Sequence, residues 1–128
     1  MKQAELDLES VAVRYFAAWE RRDPDAIAAL HSEDTRFWTH MGGEPAVGRS
    51  AVRDTFAGIF AQFPDFSFET YRVLYGSDHW VLDWALISGA VRFDCLDVVM
   101  VSPEGLVTRK DTFVDPIQLQ AALSEVSA

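Results

Sequence analysis

The chain has a single cysteine, Cys95, so no internal disulfide can form and a reducing cytoplasm is the expected setting. Basic residues are scarce: 11 Lys and Arg against 20 Asp and Glu leave a formal net charge of −9. Nucleic acid and anionic membrane surfaces both require a basic footprint, so neither is an expected partner. No charge-free apolar run approaches the roughly 18–20 residues of a membrane span. The N-terminus sets Lys2 among Glu5, Asp7 and Glu9 without an apolar stretch, unlike a secretory signal. No cluster of His, Cys, Asp and Glu has metal-ligand spacing. No Gly-rich loop opens a helix in phosphate-binding form, and no Ser/His/Asp set stands out. Neither a metal nor a cofactor is therefore expected.

Apolar material is plentiful. Of 128 residues, 49% are hydrophobic and 12% aromatic, enough for one real core. No linker, repeat or low-complexity segment divides the chain, which reads as one domain over 1–128.

The first 64 residues read as three helices interrupted by one strand and a turn. Leu8, Val11, Tyr15 and Trp19 recur on one face, leaving Arg14, Glu20 and Arg21 to solvent. Asp23-Pro24 predicts a restart, with Asp23 as cap and Pro24 in the first turn, where its missing N–H costs nothing. Ile27 and Leu30 face inward on this short helix, which His31 ends and Ser32-Glu33-Asp34 closes. Thr35 to His40 is β-prone, and Gly42-Gly43-Glu44-Pro45 must turn. Ser50 is the candidate cap of a third helix carrying Val52, Phe56, Ile59, Phe60 and Phe63, closed by Pro64.

From Phe66 the period becomes two. Phe66, Phe68, Thr70, Arg72 and Leu74 share one face of a strand. Three more strands follow, His79–Ser88, Phe93–Val101 and Leu106–Val114, and Asp115-Pro116 starts a terminal helix with Leu119 and Leu123. Trp80, Leu82, Trp84 and Leu86 share one face of the second. Helices followed by a strand meander predict an α+β fold with helices covering one face of a curved, mainly antiparallel sheet. Tyr71, Val73 and Tyr75 make the first strand apolar on its other face too, which predicts a homodimer packed through the outer sheet face.

Counting relates two charged residues. If Pro103-Glu104 form a two-residue turn, Asp97 lies opposite Lys110, close enough for an ion pair. Beside an ammonium, the carboxylate stays ionised and cannot donate a hydrogen bond. The same pair on the outer face would contribute little. His40 has the side chain for acid/base work, but it alternates with Thr39 and points away from whichever face Thr39 takes, unless the turn bulges. Asp111 alternates with Lys110 and takes the opposite face. His31 and His79 read as structural. Asp83 interrupts an apolar strand face and lacks an obvious partner.

The run from Arg14-Tyr15 through Gly42-Gly43-Glu44-Pro45, and again from Leu96-Asp97 to Gly105, resembles ketosteroid isomerase. Element order over nearly the whole chain resembles the wider nuclear transport factor 2-like superfamily, with its limonene epoxide hydrolases and SnoaL-like cyclases. The resemblance implies a cone-shaped fold: three N-terminal helices and a curved antiparallel sheet enclosing a pocket. In the isomerase, a tyrosine and a protonated aspartic acid hold a developing enolate oxygen while another aspartate moves the proton. Tyr15 and Asp97 match the first two, while Thr39 stands at the base position and cannot serve as a base. Val81-Leu82-Asp83-Trp84-Ala85 lacks the arginine–aspartate pair of the epoxide hydrolases.

Tyr15, Asp97, Lys110 and His40 are thus the candidate catalytic residues, and Trp19, Trp38, Thr39, Phe56, Phe60, Trp84 and Thr112 the candidate pocket wall. The expected ligand is an apolar small molecule. One alternative is an isomerase or cyclase working by proton transfer on a steroid- or polyketide-like compound. The other is a non-catalytic ligand-binding or dimeric interaction module of the same shape.

Overall fold

The computed structural model describes residues 6–127. Lys2 and Glu5, on which the reading of the N-terminus drew, lie outside them. Helices α1 (Leu8–Glu20), α2 (Pro24–Ala28) and α3 (Arg49–Gln62) precede the long strands β3 (Phe66–Tyr75), β4 (His79–Ser88), β5 (Val91–Val101) and β6 (Val107–Val114). Strand β1 (His31–Trp38) and the two-residue β2 (Ala46–Val47) sit between α2 and α3, and α4 (Pro116–Ser127) closes the chain. The six strands form one sheet in the order β2-β1-β6-β5-β4-β3. All neighbours are antiparallel except β1 and β6, which run parallel. This is the expected α+β architecture.

Local chemistry explains the helix starts. Asp23 accepts a hydrogen bond from the Ala26 N–H at 3.1 Å with Pro24 in the first turn. Asp115 caps α4 by accepting from the Ile117 and Gln118 N–H groups, both at 3.0 Å. Helix α3 departs from expectation: its cap is Gly48, at φ 92°, and Ser50 lies inside the helix. A left-handed backbone favours glycine there and brings the chain into α3 without a side-chain cap.

Two bulges set which residues face the helices. In β3 the register slips between Thr70 and Arg72, leaving Tyr71 as the extra residue. One extra residue reverses every side chain beyond it. Val73 and Tyr75 therefore pair with Leu82 and Trp80 on the helix side, while Leu74 turns outward and is 53% exposed. The single face expected for Phe66 to Leu74 is thus broken at its middle.

The second bulge decides the site. The hairpin turn holds three residues rather than two: Ser102 N–H donates to the Leu106 carbonyl at 2.8 Å, with Gly105 at φ 85°. That count alone would put Lys110 on the face opposite Asp97. Between Met100–Arg109 and Val101–Val107 the register slips again, with Thr108 as the extra residue, and parity returns. Asp97 then lies opposite Thr112 rather than Lys110, and Lys110 becomes its diagonal neighbour on the same face.

The core fills the space between helices and sheet. Phe56 is fully buried, its ring centroid 5.0 Å from that of Trp19 and 5.1 Å from that of Phe37. No helix among the described residues is long and apolar enough to cross a membrane.

Candidate functional site

Beneath the helices, the inner face of the sheet leaves an apolar cavity of about 190 Å³. Ile59 of α3 and Phe63 just past its end, Leu119 and Leu123 of α4, and Phe68 and Trp84 of the sheet supply hydrocarbon wall. Tyr15, Asp97, Lys110 and Thr112 supply polar groups. Of the expected wall, Trp19, Thr39, Trp84 and Thr112 line the cavity. Phe56 does not, being packed beneath Trp19 in solid core. Phe60 packs tilted against Trp19 and edge-to-face against Phe66, at 5.4 and 5.1 Å between centroids, behind the wall. Trp38 faces the other side of the sheet, because it pairs in register with the outward Asp111.

Alternation places His40 outside as well. It adopts a left-handed backbone, φ 54°, and stacks between Trp38 at 3.9 Å and Phe113 at 4.2 Å. Its Nε2 lies 2.7 Å from Asp111, whose other partner is Arg109 at 2.8 Å. Burial works to raise the Asp111 pKa, yet Arg109 and His40 hold it below the usual carboxylate value. His40 therefore has no route to a ligand in the cavity. Asp83 also faces outward and takes Arg72 as its partner at 3.2 Å.

The floor is a buried ion pair. Lys110 Nζ lies 3.3 Å from Asp97 Oδ2, with both side chains at most 5% exposed. Asp97 Oδ1 accepts from the Thr112 hydroxyl at 2.7 Å. Both carboxylate oxygens are thus engaged, one by the ammonium and one by the hydroxyl. The ammonium also sits over the rings of Trp19 at 4.4 Å and Tyr15 at 5.0 Å. Burial favours the neutral amine, but Asp97 and the Tyr15 oxygen outweigh it and the Lys110 pKa lies above normal. Lys110 is a fixed cation.

Tyr15 is 1% exposed, and its hydroxyl lies 2.9 Å from His31 Nε2. Burial raises the phenol pKa, with the Lys110 charge pulling against it, so Tyr15 stays a phenol. His31 escaped the sequence reading, which placed it at a helix end. It opens β1, is fully buried, and its Nδ1 lies 2.8 Å from Thr35 Oγ1. Its carbonyl accepts from Arg49 at 2.8 and 3.1 Å. Burial first, then the charges of Lys110 and Arg49, push the imidazole pKa down to about 3. The available signal was the i, i+4 spacing of His31 and Thr35, which also fits a helix and so did not identify a strand.

Cys95 lines the cavity too, and burial pushes its thiol pKa far upward, which keeps it protonated and unreactive. Among the described residues, no three His, Cys, Asp or Glu side chains converge as metal ligands.

Known structures share this fold. The epoxide hydrolase/cyclase-like enzyme SalBIII, of pyran ring formation in the polyether salinomycin, superposes with a TM-score of 0.74 at 19% identity, over 86% of this chain and 92% of that one. A protein from Catenulispora acidiphila with a ketosteroid isomerase-like fold, in complex with trimethylamine, gives 0.76 at 17% identity over 93% of both chains. A SnoaL-like protein of unknown function from Burkholderia thailandensis gives 0.72 at 19%, over 84% of this chain and 93% of that one. At these identities the likeness shows the fold alone. No functionally curated protein matches the chain. The family model of the SnoaL-like domain matches residues 12–110, most of the helices and sheet just described, and the chain belongs to that family.

Proposed function

We propose that the cavity binds a neutral, apolar small molecule carrying a carbonyl or hydroxyl oxygen, of steroid- or polyketide-like character, and polarises that oxygen. The buried Lys110–Asp97 pair beside Tyr15, facing hydrocarbon, carries this reading. A paired floor has no net charge, so it favours a neutral ligand over a carboxylate. Tyr15 donates and Lys110 supplies a positive field in a medium of low dielectric, where such groups act strongly.

Proton transfer falls to Asp97. With a β,γ-unsaturated ketone, its carboxylate would take a proton from the α-carbon and return it to the γ-carbon, moving the double bond into conjugation. Negative charge passes from Asp97 to the enolate oxygen and back, always within reach of Lys110, so no buried charge is left alone. The competing reading is a binder without turnover. It is supported by Thr39, which lines the cavity where the resemblance expects a base.

Tyr15→Phe tests the proposal. Turnover of a β,γ-unsaturated ketosteroid should fall by about 100-fold, as for loss of one oxyanion donor. Equal rates would remove the role of Tyr15. Binding of the ketosteroid by the wild-type protein without turnover would favour the binder.

The outer sheet face supports a homodimer, with Phe113 at 43% and Leu74 at 53% exposed. Native mass spectrometry should give twice the chain mass for wild type and the single mass for Phe113→Glu; a wild-type monomer would contradict it. The lone cysteine fits a cytoplasmic location.

A further inference from the structure

Thr35, His31 and Tyr15 stand in line, with contacts of 2.8 and 2.9 Å. All three are essentially inaccessible to solvent. A neutral imidazole donates through one nitrogen and accepts through the other, so the two contacts cannot both be donated by the ring. A hydroxyl both donates and accepts, so Thr35 can serve either direction by rotating one O–H bond. The chain can therefore run from Tyr15 to Thr35 or from Thr35 to Tyr15 without moving a heavy atom.

A ligand removes that freedom. If Tyr15 gives its only proton to a ligand oxygen, its own oxygen retains only lone pairs toward His31. A bare Nε2 at 2.9 Å would then face it lone pair to lone pair. Only a protonated Nε2 makes the contact attractive, and Nδ1 must then accept from Thr35.

We propose that Thr35 and His31 are positioning residues that aim the Tyr15 proton into the cavity, the chain running from the Thr35 hydroxyl to Nδ1 and from Nε2–H to the phenol oxygen when a ligand is bound. This rests on the reading of the cavity above, in which Tyr15 donates to the ligand. Thr35 does not line the cavity, so it would control binding from behind the wall.

The experiment uses 2-acetylnaphthalene, a flat apolar probe whose one polar atom, a ketone oxygen, can only accept, and follows affinity by quenching of tryptophan fluorescence. Thr35→Val keeps the shape and deletes the hydroxyl. It should weaken 2-acetylnaphthalene by about tenfold, near one buried hydrogen bond, and Thr35→Ser should restore the affinity. In a Tyr15→Phe background, Thr35→Val should change affinity less than twofold. Nitrogen-15 NMR of the 2-acetylnaphthalene complex should show the proton of His31 on Nε2. A proton on Nδ1, or an equal loss from Thr35→Val in both backgrounds, would overturn the chain and leave the cavity reading intact. Equal affinity of wild type and Tyr15→Phe would instead overturn the cavity reading and this proposal with it.

Discussion

Asp97→Ala is expected to cost about 3–5 kcal/mol of folding stability, far more than the loss of one hydrogen bond. The substitution leaves the Lys110 ammonium 4% exposed with its carboxylate partner gone. Taking a charge out of water is costly, and Asp97 is what offsets that cost. Lys110→Ala should be comparably damaging, since it strands the carboxylate. The double replacement Asp97→Leu with Lys110→Met should recover most of the loss, because apolar side chains of similar volume suit an apolar cavity better than half an ion pair. Urea unfolding at pH 7 measures all four proteins. Single variants within about 1 kcal/mol of wild type would mean that the pair is wetter than its burial indicates. Single variants that lose this much stability and a double variant that recovers it would show that folding alone does not account for the pair. Its presence on the floor of a cavity argues for ligand chemistry.

Acid should destabilise the protein through His31. The unfolded imidazole binds a proton near pH 6.5, while the folded one resists protonation down to about pH 3. Between those values the unfolded state holds more protons, so stability falls as pH falls. The His31 contribution is fully present above pH 6.5 and is lost as pH approaches 3. At about 1.4 kcal/mol per pH unit, acidification from pH 6.5 to 4 should remove roughly 3 kcal/mol. Other groups titrate in that range, so His31→Gln provides the reference. Glutamine keeps a polar group near Nε2 and cannot take up the proton. The stability advantage of wild type over His31→Gln, from urea unfolding at successive pH values, should shrink by about 3 kcal/mol between pH 7 and 4. Parallel curves would show that the folded ring protonates freely.

Much of this architecture is legible in the residues. Helical spacing from Leu8 to Trp19 and the Asp-Pro caps at Asp23 and Asp115 write their own geometry, because those signals are local. The alternation of Trp80, Leu82, Trp84 and Leu86 is equally plain, and all four are buried. What could not be read depends on chain segments meeting in space. The bulges at Tyr71 and Thr108 leave no mark in composition, and each reverses the faces beyond it. Asp97 and Lys110 share a face because a three-residue turn and the Thr108 bulge compensate, whereas the sequence argument reached that face through a two-residue turn and no bulge. Phe56 and Phe60 belong to the same stripe as Phe63, but periodicity separates inside from outside and does not separate core from cavity. His31 was hidden because Leu30-His31-Ser32 continues a helical pattern, and only burial against Tyr15 and Phe56 distinguishes it.

A crystal structure of the protein with 2-naphthol bound tests the central claim most directly. The account predicts the naphthalene rings inside the cavity, against Phe68 and Trp84, and the hydroxyl within about 3 Å of the Tyr15 oxygen or Lys110 Nζ. Naphthol confined to the outer sheet face around Phe113, with the cavity closed over by its own aromatic rings, would contradict it.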